Sequence, residues 1–430
     1  MVLESQMQLE SEYVMRTFAR KQVAFVDGKG MELFDDRGNR YLDFVSGIGV
    51  VSLGHCHPAL VEALSAQAAR LMHVSNYYYI QNRGEVAQRL SLLLNEGQDE
   101  HAPVWRTFFA NSGAEANECA IKLARLHGNA RSRSGGNSAP LIVTLEGGFH
   151  GRTLASLAAT AQPVKQRLFQ PLPEGFVSTP INDVAALEQL FQREGARICG
   201  MIVECVQGEG GVHPCSAAFL ARARALTSAC DALLICDEVQ SGLHRCGQEP
   251  FAFQKLGVVP DVVTMAKGIG GGFPLGACAA RGSVGAVFGP GDHGSTFGGS
   301  NLAMACALAT LQTMEKEGLG RNAEQAGAYL RLSLARLPFV TDVRGFGLMV
   351  AAELAQGVDA GTLVTQGLDA GLVLNCTGPS TLRFLPPLVC RRTHVDELVA
   401  KLGQLPAVQG EGPNGGRIAH AGGVRGAVDQ

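Results

Sequence analysis

Through its middle the chain repeats one phrase: a short apolar run, a polar or glycine-rich turn, then a stretch with helical spacing. The runs are TFFANS (107–112), LIVTLE (141–146), CGMIVECV (199–206), ALLICDEV (232–239) and DVVTMAK (261–267). Between them, AEANECAIKLARLHG (114–128) and SAAFLARARALTSAC (216–230) carry apolar residues at helical intervals. Apolar strands alternating with helices predict an α/β fold with a mainly parallel sheet, covered by helices on both faces. This large domain is expected over residues 65–315. Beyond it NLAMACALATLQTMEKEG reads as a long helix, VRGFGLMVAAEL and TLRFLPPLV as strands, and THVDELVAKLGQL as a closing helix. A smaller α+β domain is therefore expected over residues 316–407, joined by the segment 1–64. The stretch 408–430 is glycine-rich without a periodic apolar face and reads as a flexible tail.

Composition narrows the partners. At 430 residues the chain can build two or three domains with a full core, and 46% hydrophobic with 17% charged residues is a globular balance. A formal net charge of -3 offers no electrostatic reason to bind nucleic acid or an anionic membrane. No segment reaches the roughly 18 uninterrupted apolar residues of a membrane span. The acidic start MVLESQMQLESEYVMRT lacks the pattern of a secretory signal. The 12 cysteines are scattered, and Cys205, Cys236 and Cys278 sit inside apolar runs as small hydrophobes do. A cytoplasmic protein is the expectation.

The chemistry gathers where open parallel sheets place ligands, at the carboxyl ends of their strands. After TFFA comes NSGAEAN, in which Ser112, Gly113 and Ala114 open a helix. After LIVTLE come Phe149 and Arg152, after GMIVECV comes Glu209, and ALLIC runs straight into Asp237. DVVTMA ends on Lys267, the single charge in VVTMAKGIGGGFPLGACA (262–279). Each has a plainer reading: a carboxylate after a strand is often a helix cap, and a lysine in a glycine loop is usually solvated. Asp237, however, follows four apolar residues, and burial there needs a cationic partner. A buried, unpaired lysine loses its proton readily and condenses with an aldehyde.

A pyridoxal phosphate enzyme needs this inventory. The lysine holds the aldehyde, a carboxylate keeps the pyridine nitrogen protonated, an aromatic ring stacks on the cofactor, and a helix start binds the phosphate. Neither a P-loop nor a strand followed by G-x-G-x-x-G is present. GHCHP (54–58) could suggest a metal, but adjacent residues seldom share one ion, and a turn leading into a helix at Pro58 is the better reading. No metal is expected.

With NSGAEANE, GFHGRT, QGEGG, DEVQSG, AKGIGGGFPLGA and HGSTFGG in this order, the chain resembles the class III aminotransferases, a family of fold-type-I pyridoxal phosphate enzymes. The resemblance runs from about residue 13 to 404 and is strongest to members acting on N-acetylornithine. It implies ping-pong transamination of N-acetylornithine with 2-oxoglutarate in arginine biosynthesis. It implies Lys267 as the cofactor-bearing lysine and proton shuttle, Asp237 on the pyridine nitrogen, Gln240 on the ring hydroxyl and Phe149 on the ring face. Ser112, Gly113 and Ala114 would bind phosphate, and Arg152 the distal carboxylate of the substrate. Because family members are homodimers with shared sites, Thr296 would reach the phosphate in the other subunit, with Ser295 near its substrate. Glu209 would mask Arg383 (in RFLPP) for the first donor and release it to grip the α-carboxylate of glutamate. A plain ion pair between domains is the alternative for these two.

Some positions depart from the family. Ile48 stands where related ornithine aminotransferases have a tyrosine, which leans toward an acylated donor. His244 and Cys246 replace a usual glycine and threonine, Cys205 a usual proline, and GGSN (298–301) a usual GGNP. The same chemistry on succinylornithine, ornithine, 4-aminobutyrate or an acyl-lysine stays open, since one contact shifts preference by only about 1–3 kcal/mol. An aminomutase would not need Arg383, and a non-catalytic cofactor-binding regulator would be expected to lack Lys267 or Asp237.

Overall fold

The computed structural model describes residues 2–132 and 140–409. At its centre is a seven-stranded sheet. Across it the order is Trp105–Ala110, Gly276–Arg281, Val262–Met265, Leu233–Asp237, Ile198–Val203, Leu141–Leu145 and Phe176–Thr179. Leu141–Leu145, Ile198–Val203, Leu233–Asp237 and Val262–Met265 are buried at every position, as strands covered on both faces must be. Each fully buried large side chain in these runs contributes about 1.5–3 kcal/mol. The helices Gly113–Ser132 and Ala217–Ala229 follow their strands as expected. Six strands run one way. Gly276–Arg281, which the pattern did not single out, runs against both its neighbours.

Three smaller sheets accompany this one among the described residues, two of four strands and one of two. Phe25–Lys29, Glu32–Asp35 and Arg40–Asp43 form a meander completed by Leu372–Val373, so the two ends of the chain share a sheet. The stretch VRGFGLMVAAEL is not one strand but a hairpin, Val340–Phe346 paired with Met349–Leu354, turned at Gly347 with φ of 49°. Likewise CGMIVECV breaks after Val203, and Val206–Gln207 pairs separately with His213–Pro214. Pro58 does open a helix, Pro58–Ala68, while His55 turns to Asp43 (2.8 Å) and His57 to Glu317 (3.1 Å). The closing helix is Arg392–Leu402. From residue 410 the tail lies outside the described residues.

One local feature is strained. Ser46, Gly47, Ile48 and Gly49 take positive φ in succession (48°, 65°, 66° and 75°). The turn is pinned by Asp43 Oδ1, which accepts the N–H groups of Val45 and Ser46, and by Ser46 Oγ donating to Leu385 O. A β-branched residue held left-handed costs about 1–2 kcal/mol. Ile48 is 38% exposed, so the packing of its covered part offsets some of that cost. Ile48→Gly sets relief of the strain against that packing and the added chain entropy of glycine, and should leave the denaturant midpoint within the equivalent of about 1 kcal/mol of wild type at unchanged slope. A midpoint in urea lowered by more than that would show that the Ile48 side chain contributes more than its backbone costs.

Candidate active site

A cavity of about 440 Å³ opens at the carboxyl ends of the central strands, and Ser112, Gly113, Ala114, Phe149, Arg152, Asp237, Gln240 and Lys267 all line it. A larger hollow, about 810 Å³, runs beside the edge strand Phe176–Thr179, but among the described residues its lining has no basic side chain to hold an anionic group. The smaller cavity is the one that gathers the reactive side chains. Lys267 follows Val262–Met265 at a positive φ of 48°, a conformation that aims the side chain out of the strand direction and into the cavity wall. It makes no hydrogen bond or ion pair among the described residues. Burial pulls its pKa down, against the nearby charges of Asp237, Glu209 and Glu204. The result is an amine that gives up its proton more easily than an ordinary lysine.

Asp237 ends Leu233–Asp237 and is 3% exposed. Its Oδ2 accepts from Asn117 Nδ2 and from His150 Nδ1, each at 2.8 Å, and among the described residues its Oδ1 accepts only from Val239 N (3.0 Å). Oδ1 thus keeps a lone pair for one more donor. Burial works against a charged His150, but the hydrogen bond to Asp237 and its charge overcome this and raise the imidazole. Asn117 is fixed in turn by Thr264 Oγ1 (2.7 Å) and by donating to His150 O (2.7 Å). At the helix start, Ser112 Oγ accepts from Glu115 N (3.2 Å), while the first-turn N–H groups of Gly113 and Ala114 have no intrahelical partner. Gly113 packs so closely on Val239 that a Cβ would lie 2.7 Å from Val239 Cγ1. The Arg152 guanidinium sits 5.5 Å from the Phe149 ring centroid.

Glu209 and Arg383 stand just behind this cavity rather than in its lining. Arg383 is 2% exposed, and its Nη1 donates to Glu209 Oε1 (2.5 Å) and to Gln240 Oε1 (3.3 Å). Burial alone would raise the Glu209 carboxyl, but the charge and hydrogen bond of Arg383 hold it below its ordinary value. A Cβ on Gly208 would push the Gln240 amide away from its place beside Arg383. Ser295 reaches only the rim of its own chain's cavity, accepting from Asn111 Nδ2 (3.1 Å), and Thr296 is exposed outside it.

Residues 15–405 match the family model for Aminotransferase class-III. The chain belongs to the class III aminotransferases. This aminotransferase is 43% identical over 393 residues to acetylornithine aminotransferase 1 of Bordetella parapertussis, covering 90% of this chain and 96% of that one. It is 42% identical over 408 residues to the acetylornithine aminotransferase of Methanocaldococcus jannaschii, covering 94% and 98%. Its fold is similar to that of ornithine aminotransferase from Toxoplasma gondii, described with pyridoxal phosphate at its active site (TM-score 0.86, 32% identity, 94% and 95% covered). The cofactor of this aminotransferase is pyridoxal phosphate. The donor set fits it: an unpaired amine, a carboxylate with a spare lone pair and free helix-start N–H groups around one cavity.

Three further residues that the motifs did not single out line the same cavity: Asn117, His150 and Glu204. Glu204 Oε1 accepts from Phe149 N (2.8 Å) and Oε2 from Gly208 N (2.9 Å), so one carboxylate ties the Phe149 loop to the Glu209 loop. Burial pushes its pKa up to about 7, reinforced by Asp237 and opposed by His150. The signal was available, since Glu204 ends the apolar run GMIV much as Asp237 ends LLIC. Conversely, His244 does not touch the cofactor cavity. It lines a separate hollow of about 350 Å³ with Arg89, Glu96 and Arg321, its Nδ1 bonded to Gln248 O (3.0 Å). Ile48 is likewise absent from the cavity lining, and Val50 represents that turn there.

Proposed function

We propose that this aminotransferase moves the terminal amino group of N-acetylornithine to 2-oxoglutarate, giving N-acetylglutamate 5-semialdehyde and glutamate, a step of arginine biosynthesis. The observation that carries the reading is the Arg383–Glu209 pair closed at the back of a cavity lined by Lys267. Two unlike donors must use one site. N-acetylornithine has no carboxylate beside its reacting carbon, whereas glutamate has one there. A guanidinium covered by a partly exposed carboxylate can serve both, masked for the first and uncovered for the second. The acetylornithine aminotransferases among its relatives support this choice. Its likeness to an ornithine aminotransferase supports the second reading, the same transfer from another ω-amine.

Bound pyridoxal phosphate supplies an aldehyde for the amine and a ring that accepts electrons from the substrate carbon. Lys267 would hold the cofactor through Nζ and, once freed, would carry the proton removed from the substrate carbon. Its lowered pKa keeps the freed amine competent to accept that proton. Asp237, anchored by Asn117 and His150, would face the ring nitrogen. Ser112 and the N–H groups of Gly113 and Ala114 would take the phosphate, Phe149 would cover the ring, Gln240 would meet its hydroxyl, and Arg152 would hold the distal substrate carboxylate.

We also propose a homodimer in which Ser295 and Thr296 complete the site of the opposite subunit. Supporting it, Met72 (60% exposed), Tyr77 (95%), Tyr79 (103%) and Phe297 (62%) leave large apolar surface uncovered beside those two residues. The His73 and Phe297 rings approach to 5.2 Å, and Asn76 Nδ2 donates to Ser295 O, so these segments form one patch. The domain division into 65–315 and 316–407, with 1–64 joining the latter, is proposed on the shared N- and C-terminal sheet. Among the described residues no helix is long and apolar enough to cross a membrane. Twelve cysteines without a disulfide support a reducing, cytoplasmic location.

The test of the reading is Arg383→Ala in separate half-reactions. Half-saturation by glutamate should rise by about 30-fold or more, the scale of a lost charged hydrogen-bond pair. Half-saturation by N-acetylornithine should move by less than about threefold, since that donor leaves the guanidinium masked. Equal losses for both donors would reduce Arg383–Glu209 to a structural ion pair.

A further inference from the structure

Arg383 is held on two edges, and only one of its partners is an acid. Asn375 lies directly opposite Arg383 in the antiparallel pairing of Asn375–Cys376 with Thr381–Phe384. Its Oδ1 accepts from both Nε (3.0 Å) and Nη2 (2.7 Å) of the guanidinium. On the other edge Nη1 donates to Glu209 and to Gln240. These bonds use four of the five guanidinium hydrogens, and the fifth, on Nη2, has no partner among the described residues. Glu209 is the one carboxylate within ion-pair distance among the described residues.

We propose that Asn375 is a positioning residue for the donor exchange: its neutral oxygen occupies the Nε edge of Arg383 and reserves the Nη1–Nη2 end for a carboxylate, from Glu209 or from the amino acid that replaces it. The inference rests on the reading of Arg383 given above. An amide at this position contributes hydrogen bonds without charge. When Glu209 swings off, the positive charge is therefore uncompensated, and an incoming α-carboxylate meets both Nη1 and the spare Nη2 hydrogen. An acid at 375 would hold that charge permanently. An apolar residue there would leave two buried donors unpaired, and Glu209 could move round to take them as a bidentate pair that glutamate displaces less easily. Both changes weaken the donor that needs Arg383 and spare the one that does not.

The experiment compares cofactor-loaded wild type, Asn375→Asp and Asn375→Ala in single half-reactions with glutamate and with N-acetylornithine, each as rate against concentration. Asn375→Asp is the decisive variant, because it keeps the shape and the acceptor oxygens and changes only charge; a merely structural role would not register it. Half-saturation by glutamate should rise about tenfold or more at a nearly unchanged maximal rate, while that for N-acetylornithine shifts by less than about threefold. Asn375→Ala should move the same way. Equal shifts for both donors, or no shift in Asn375→Asp, overturn the inference. Wild type inert toward glutamate overturns the reading of Arg383, and this inference with it; a wild type that converts glutamate places any failure on Asn375 alone.

Discussion

Lys267→Ala should lower turnover by at least about a thousandfold while the protein stays folded, because one side chain supplies both the covalent anchor and the mobile base. Its amine makes no structural hydrogen bond among the described residues, so its removal costs no buried pairing. Removal also takes away a group whose charged form burial disfavours. Thermal unfolding of the apo-protein should therefore be unchanged or shifted slightly upward. Added primary amines offer a second check. A small amine that restores part of the rate would show that the missing function is proton transfer at the position of Nζ. Ordinary turnover in the variant would remove Lys267 from the mechanism.

Asp237→Asn should cost between about a hundredfold and ten-thousandfold in the half-reaction rate, the range seen when a preorganised charge or acid–base partner is lost. The exchange is nearly isosteric but breaks the local pairing. Asp237 accepts three hydrogen bonds, from Asn117, His150 and Val239, whereas an amide has one accepting oxygen and would turn its own donors toward N–H groups. His150, no longer beside an anion, would lose the interaction that raises it and become the neutral ring that burial favours. Cofactor affinity, measured separately by titration of the apo-protein, should fall less than the rate. Loss of affinity with a normal rate in the loaded fraction would assign Asp237 to binding alone.

Strand ends were readable because a parallel sheet buried on both faces leaves continuous apolar runs, and the first polar residue after each run marks the ligand-bearing edge. Asp237 and Lys267 end such runs, Ser112 and Phe149 lie in the loops just beyond theirs, and all four line one cavity. Gly276–Arg281 escaped that reading because its residues are small and follow a glycine-rich loop, so no long apolar run announces the strand. The hairpin at Gly347 escaped for a different reason. Its turn is so short that the apolar pattern continues across it. Second partners were harder still. Asn117 and His150 sit inside recognised motifs, yet nothing local says that both side chains turn to Asp237 from different elements. Asn375 depends on cross-strand register, which is set by the fold around it and is not visible in NCTGPSTLRF.

The measurement that bears most directly on the central claim is a set of half-reactions with the wild-type protein. Cofactor-loaded protein would be mixed separately with N-acetylornithine, ornithine, 4-aminobutyrate and glutamate, and the loss of its yellow colour followed in time. Fast bleaching by N-acetylornithine and glutamate, with slow response to the other two, is the expected result. Bleaching led by ornithine or 4-aminobutyrate, with N-acetylornithine slow, would contradict the proposed donor, and a protein that never turns yellow with added cofactor would contradict the role given to Lys267.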